Sequence, residues 1–349
     1  MPAPVLRPNS ACLASRPDMV SACRQVGHDE SRYAVTEVET IPVGGSIKRI
    51  TIITIGHEPA AAYLARRLRD LSVEISLIIQ RRPSASSSSF KYYRRLLAKR
   101  GVLICADNLL LLVTGLARSL PGRLARQALR LLRLPIPTAL DPTRRDRIIP
   151  VPPVLRPDPG LFGEPWLTCL EVDAINTNAG QDVLRSTKPD LILLAGAPIL
   201  TQSTIGIARI ACLNSHCGIT PRYCGNSPAM WALFEREFSQ IGYTVHLVVP
   251  EVDAGPLLHQ ELVSWDPSLP LSTLWPTLVQ PMYDRLADLA RDLITGRTLI
   301  AIVQRDARVM PPAGYFAKKV ADRHRRQYAA TLGPRSARPV PSLGGEKRR

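Results

Sequence analysis

The chain has 349 residues, 45% of them hydrophobic and only 5% aromatic, which suits one large or two modest domains around an aliphatic core. Its net charge of +16 invites a nucleic-acid reading, but the basicity is confined: residues 81–147 carry +12, residues 314–349 carry +8, and the remainder carries −4, as in an ordinary metabolic enzyme. Seven cysteines without a C-x-x-C pair argue against a disulfide framework and a structural zinc site, and no apolar run near the N-terminus marks a signal peptide, which points to a reducing, cytoplasmic setting.

Residues 1–47 show no clear period and are expected to be a disordered extension, with Met19 as an alternative start. Order is expected from Lys48. The β-branched run Arg49–Ile55 reads as a buried parallel strand, Pro59–Leu71 as an amphipathic helix, and Val73–Ile79 as a second strand, together a βαβ unit. Residues 83–165 then interrupt the rhythm. A Ser-rich stretch leads into two basic, Leu-rich helices split at Pro121-Gly122, and nine prolines between Pro135 and Pro165 forbid regular structure. This basic helical insert reads either as a hairpin with a solvated face or as a lid or weak membrane-surface contact for an anionic substrate. Its most apolar piece, Val102–Ala117, contains Asp107 and is too short to span a bilayer.

The α/β rhythm returns at Asn176. Helices are expected over Asn178–Ser186, Pro198–Ala208, Ser227–Phe238 (capped by Ser227) and Leu271–Ile294. Strands are expected over Leu191–Ala195, Ile210–Asn214, Gly242–Val249 and Leu299–Val303, with a turn at 250–256. The organisation is thus an extension (1–47), a catalytic unit (48–313) carrying the insert at 83–165, and a basic tail (314–349), partly helical to Leu332 and then disordered.

Two segments carry chemistry, Cys212–Gly225 and Gly242–Pro256. In each an apolar strand ends in polar groups and Gly/Pro-rich turns, and ligands of open α/β sheets bind outside such strand ends. Asn214 and His216 are two residues apart and project to one side. Asp253 follows the next strand. An amide that donates to an oxyanion, an imidazole that moves a proton and a carboxylate that orients it or takes an amine's proton suit acyl transfer. His246 reads as a core histidine satisfied by backbone, with a pocket-lining role as the alternative. Cys217 and Cys224 read as space-filling residues, and Met230 and Trp231 as packing.

These segments resemble the 10-formyltetrahydrofolate-dependent formyltransferases, whose pattern is N-x-H-P-S-L-L-P-x-Y-x-G followed by G-x-T-x-H…D-x-G-P. Asn214, His216, Pro221, Tyr223 and Gly225 match the first part; Gly242, Thr244, His246, Asp253, Gly255 and Pro256 match the second. The match is strong over 186–260 and weak over 48–80. It departs at Cys217-Gly218, Ile219-Thr220 and Cys224. The resemblance implies an α/β fold with a Rossmann-like parallel sheet, 10-formyltetrahydrofolate as co-substrate, no metal, and Asn214, His216 and Asp253 as catalytic residues. It implies a folate pocket at Ala195, Gly196, Ile199, Leu200, Pro250, Glu251 and Val252. The expected acceptor is a small-molecule primary amine such as an amino sugar. tRNA ranks below it, because only Leu299–Val303 reads as a strand after residue 296. The rivals are a formyltetrahydrofolate deformylase and a non-catalytic nucleic-acid or membrane-surface binder on the same fold. Oligomeric state is not legible.

Overall fold

The computed structural model describes residues 38–41, 46–56, 58–81 and 151–332. The two basic helices expected between 83 and 150, and the tail beyond Leu332, lie outside the described residues. In chain order the first elements are β1 (Val38–Ile41), β2 (Arg49–Thr54), α1 (Glu58–Leu68), β3 (Glu74–Gln80), β4 (Leu167–Val172), α2 (Asn178–Ser186), β5 (Leu191–Ala195), α3 (Gln202–Ile205) and β6 (Ala211–His216). There follow β7 (Cys224–Gly225), α4 (Pro228–Phe234), β8 (Gly242–Leu247), β9 (Leu257–Leu262), α5 (Leu274–Ile294), β10 (Leu299–Ile302), β11 (Val309–Met310) and α6 (Tyr315–Thr331).

Nine strands form one sheet in the order β1-β10-β9-β8-β6-β5-β2-β3-β4. From β4 to β6 the pairings are parallel, and β8, β9, β10 and β1 extend the sheet antiparallel. The parallel half is the expected Rossmann-like α/β arrangement. Its central strands β2 and β5 are buried almost throughout, as strands covered on both faces must be. On one face α1 packs Ala61, Leu64, Ala65 and Leu68 against α5, which buries Leu278, Met282, Leu286, Ala290 and Leu293 at helical spacing. On the other face Leu184 of α2 joins Ile53, Ile78, Ile192 and Leu194. A third cluster joins α4, α5 and α6 around Tyr223 and Leu233.

Several expectations are corrected. Val38–Ile41, placed in an irregular extension, is a strand, because its short run of apolar and β-branched residues finds β10 as a partner. The stretches Leu167–Val172 and Leu257–Leu262 went unassigned; their neighbours β3 and β8 recruit them. The helix expected over Pro198–Ala208 shrinks to α3. Asn176 accepts from the Thr201 N–H at 3.0 Å and donates to the Ile199 carbonyl at 2.8 Å, so the loop before α3 bonds to a side chain instead of to itself. The helix expected over Ser227–Phe238 ends at Phe234, and Arg236 follows in left-handed backbone (φ 64°). Ser227 precedes this helix at φ 57°, but its hydroxyl accepts from Ala313 N–H at 3.3 Å and does not cap. Among the described residues no helix is long and apolar enough to cross a membrane.

Candidate active site

Asn214 and His246 face each other across the β6–β8 pairing, and His216 stands two residues further along β6 opposite Thr244. Asp253 reaches this patch from the turn between β8 and β9, with φ 52°. The structure therefore brings the three expected residues together. Asp253 Oδ1 lies 3.3 Å from Asn214 Nδ2 and 3.5 Å from His246 Nε2; Oδ2 lies 3.3 Å from His216 Nδ1 and accepts the Gly225 N–H at 2.7 Å. The second nitrogen of each imidazole meets a backbone carbonyl: His216 Nε2 that of Tyr223 at 2.8 Å, His246 Nδ1 that of Leu247 at 2.7 Å. His246 is thus satisfied by backbone, as read from sequence, and also touches Asn214 at 3.2 Å and Asp253.

The turn that carries Asp253 is held from two sides. The β8–β9 register shifts between Val245 and His246. There Gly255 packs so closely that a Cβ would stand 1.8 Å from the Leu247 carbonyl oxygen. Gln304 Nε2 donates to the Asp253 carbonyl at 3.1 Å and to the Gly255 carbonyl. Gln304 was not singled out, since it lies far along the chain, and Gly225 was noted only as a match to the resembled pattern, since it contributes backbone alone.

Proton placement follows from donors and acceptors. Burial alone would raise the Asp253 pKa, but the His216 imidazole, the hydrogen bond and charge of His246 and the Gly225 N–H outweigh it and hold it at about 2. The group is a carboxylate at neutral pH. Burial pulls His216 below the ordinary imidazole value, against upward pulls from the Asp253 charge and the Tyr223 carbonyl, with a smaller downward push from His246. His246 Nδ1 satisfies the Leu247 carbonyl only if it carries a proton. Its Nε2 then accepts from Asn214 when bare and donates to Asp253 when protonated. With Nε2 as acceptor, both N–H groups of Asn214 are used inside the cluster.

Cys224 is buried and Cys217 half-buried; both thiols are pushed up to about 12, chiefly by desolvation, and stay protonated at neutral pH. Trp231 donates its indole N–H to the Pro311 carbonyl at 2.7 Å and packs edge-on against Phe234. Gly218, a departure from the resembled pattern, lets His216 reach Tyr223: a Cβ there would stand 2.7 Å from His216 Nε2 and 2.6 Å from the Tyr223 oxygen.

An open, mostly apolar cavity of about 260 Å³ lies between β1, the α3 region, the start of β6 and the end of β8, with Thr40, Ile205, Ala208, Cys212, Leu247 and Val248 on its wall. None of the seven residues expected in a folate pocket lines it, and neither do Asn214, His216 and Asp253. Ala195 and Leu200 are spent in the core, while Ile199 is 66% exposed and Pro250 and Glu251 face solvent. Gly196, at φ 67°, accepts the Ile55 N–H, and Val252 is half-buried in the turn before Asp253.

Residues 149–281 match the family model described as formyl transferase. Methionyl-tRNA formyltransferase of Thermotoga maritima is 31% identical over 128 residues, 36% of this chain and 41% of that protein. The enzyme of the same name from Thermosynechococcus vestitus is 34% identical over 113 residues, 32% of this chain and 34% of that protein. The chain therefore spans less than half the length of these relatives. Among solved structures, a sugar N-formyltransferase from Shewanella sp aligns at a TM-score of 0.42 and 13% identity, covering 79% of this chain and 87% of that one. A 4-N formyltransferase from Francisella tularensis aligns at 0.44 and 10%, covering 80% and 88%. The likeness rests on the sequence match, which spans β4 to the first part of α5 and includes Asn214, His216, His246 and Asp253: through this segment the chain resembles the formyl transferase family.

Proposed function

We propose that the protein transfers a formyl group from 10-formyltetrahydrofolate to a primary amine, with Asn214, His216 and Asp253 as its catalytic residues. One observation carries the reading: within the segment matched to the family, an amide, two imidazoles and a carboxylate interlock at the strand ends where α/β sheets bind ligands. The amine attacks the formyl carbon and the carbonyl oxygen becomes an oxyanion. The proton lost by the amine passes to the Asp253–imidazole cluster. Asn214 turns an N–H of its side-chain amide to the oxyanion. Collapse breaks the bond between the formyl carbon and the folate nitrogen, which takes a proton back from the cluster.

The family match over residues 149–281 supports the folate co-substrate; the apolar cavity does not, because Ile210, Ala211 and Cys212 line it at the entry of β6 and none of Asn214, His216 and Asp253 does. For the acceptor we favour a small amine such as an amino sugar over an aminoacylated RNA. The described residues after 296 fold back as β10, β11 and α6 onto the sheet and α4, and do not form a separate nucleic-acid-binding unit. The test is release of tetrahydrofolate from 10-formyltetrahydrofolate in the presence of candidate amines. Asp253→Asn is expected to lower kcat by about 10² to 10⁴ with the fold intact, the range of a lost acid–base group. Equal turnover without any amine would make the protein a hydrolase, and absence of folate binding would end both readings.

A further inference from the structure

Asp253 and His216 both lean on the backbone of a single short loop. His216 Nε2 meets the Tyr223 carbonyl at 2.8 Å, and Gly225 N–H donates to Asp253 Oδ2 at 2.7 Å. This loop is tied down with an unusual density of contacts. The Tyr223 side chain is fully buried, and its hydroxyl lies 2.9 Å from Glu235 Oε2 and 2.7 Å from Glu237 Oε2. Glu235 is gripped at both oxygens by Arg308, at 2.8 and 2.5 Å, and Glu237 pairs with Arg222, whose guanidinium also lies over the Tyr223 ring at 5.9 Å. Arg308 grips the loop by backbone as well: its N–H donates to the Pro221 carbonyl at 2.8 Å and its carbonyl accepts the Cys224 N–H at 3.1 Å. Directly after it, β11 pairs with β7.

We propose that Tyr223, anchored by Glu235 and Arg308, is a positioning residue for His216, and that its carbonyl keeps a proton on His216 Nε2. The inference rests on the formyl-transfer reading for its catalytic consequence and on geometry alone for the proton. A carbonyl oxygen 2.8 Å from Nε2 demands N–H there, because two facing lone pairs repel. In the neutral ring Nδ1 is then bare and faces Asp253 Oδ2 at 3.3 Å, an opposition relieved when Nδ1 takes a proton. His246, the other imidazole beside Asp253, stands 3.5 Å from Oδ1 and not from the Oδ2 that faces His216. His216 thereby becomes the resting place for the proton that the attacking amine gives up through Asp253. The bond broken is amine N–H, the bond formed is Nδ1–H, and the same proton returns to the departing folate nitrogen.

Two variants press on the contact from opposite sides. Tyr223→Phe keeps the ring and removes the anchoring hydroxyl. Gly218→Ala places a Cβ where it would stand 2.7 Å from Nε2, and also 2.4 Å from the Pro228 side chain, so it can fail to fold; Tyr223→Phe decides in that case. Glu235→Gln retains an acceptor for the hydroxyl and serves as the conservative rescue. The readouts are the imidazole nitrogen spectrum of His216 across pH and the separation of kcat from KM. Wild type is expected to show a single neutral tautomer protonated at Nε2. Tyr223→Phe is expected to mix tautomers and to lower kcat about tenfold with KM for the folate donor within about twofold, the mark of a sub-ångström misplacement. Glu235→Gln is expected to stay near wild type in both. A wild-type spectrum protonated at Nδ1 overturns the proposal, as does a Tyr223→Phe protein whose spectrum and kcat are unchanged and whose melting temperature alone falls. The spectrum needs no turnover, so a protein that transfers no formyl group at all would defeat the functional reading while this assignment is still decided.

Discussion

Asp253 is a carboxylate placed at the cost of left-handed backbone, and the strain is offset by the contacts around it. Its pKa of about 2 makes the stabilisation depend on pH. The folded value lies below the unfolded carboxylate value, so the contribution is full above about pH 4 and drains away as pH falls through 2, on the order of 2 kcal/mol in all. Denaturant unfolding of wild type and Asp253→Asn should therefore differ at pH 7 and converge near pH 2; a constant difference would mean that the charge is not what stabilises the turn. Beside it, Gly255→Ala forces a methyl group into the Leu247 carbonyl oxygen, which cannot yield without breaking the β8–β9 pairing. A loss of about 3 kcal/mol or more is expected, measurable by thermal unfolding. The sequence disclosed Asn214, His216 and Asp253 because polar groups at the ends of apolar strands stand out. It disclosed half of His246, whose backbone partner is a local feature and whose carboxylate partner depends on a turn folding back.

At the scale of elements, Asp253 depends on the turn between β8 and β9, and that turn depends on Gln304, which follows β10 by two residues. Gln304→Ala removes both side-chain donors to the turn and is expected to cost about 1 to 2 kcal/mol. Its sharper signature is local: hydrogen exchange at Ala254 and Gly255 should quicken while exchange in β2 and β5 holds, because those strands share no contact with Gln304. Uniform quickening would show a global loss instead. The same dependence explains which elements were legible. β2, β5 and α2 declare themselves through their own composition or period, and the structure has them where the pattern puts them. α3 starts late because Asn176 holds the loop before it, α4 ends two residues before the left-handed Arg236, and β1, β4 and β9 exist because a neighbouring strand offers unpaired backbone.

At the scale of the whole sheet, the Asp253 cluster lies at the carboxyl ends of the parallel strands and a stabilising knot at the opposite ends. There the Asp190 carboxylate, 3% exposed as a residue, accepts from the Lys48 N–H at 2.7 Å, the Arg49 N–H at 2.9 Å and Arg209 Nε at 2.5 Å. One side chain thus ties the entry of β2, the entry of β5 and the segment before β6, the three strands that carry the sheet toward Asn214. Burial would raise its pKa, but the Arg209 hydrogen bond and the two backbone N–H groups prevail and lower it, so its contribution is present above the unfolded carboxylate value and is lost as pH falls through the lower folded one. Asp190→Ala strips the acceptor from two backbone donors and a guanidinium at once, with an expected loss of about 3 kcal/mol, since charge-assisted bonds exceed neutral ones and orphaned donors add their own penalty. Asp190→Asn should recover little, because an amide offers one acceptor and turns a donor toward donors. The variants are to be compared by urea unfolding at pH 7 and by kcat at a temperature where each is folded. A lowered midpoint with kcat kept is the expected result, since the knot and the Asp253 cluster lie at opposite ends of the strands. A kcat that falls with the midpoint in the fully folded protein would mean that strain at one end of the sheet reaches the other.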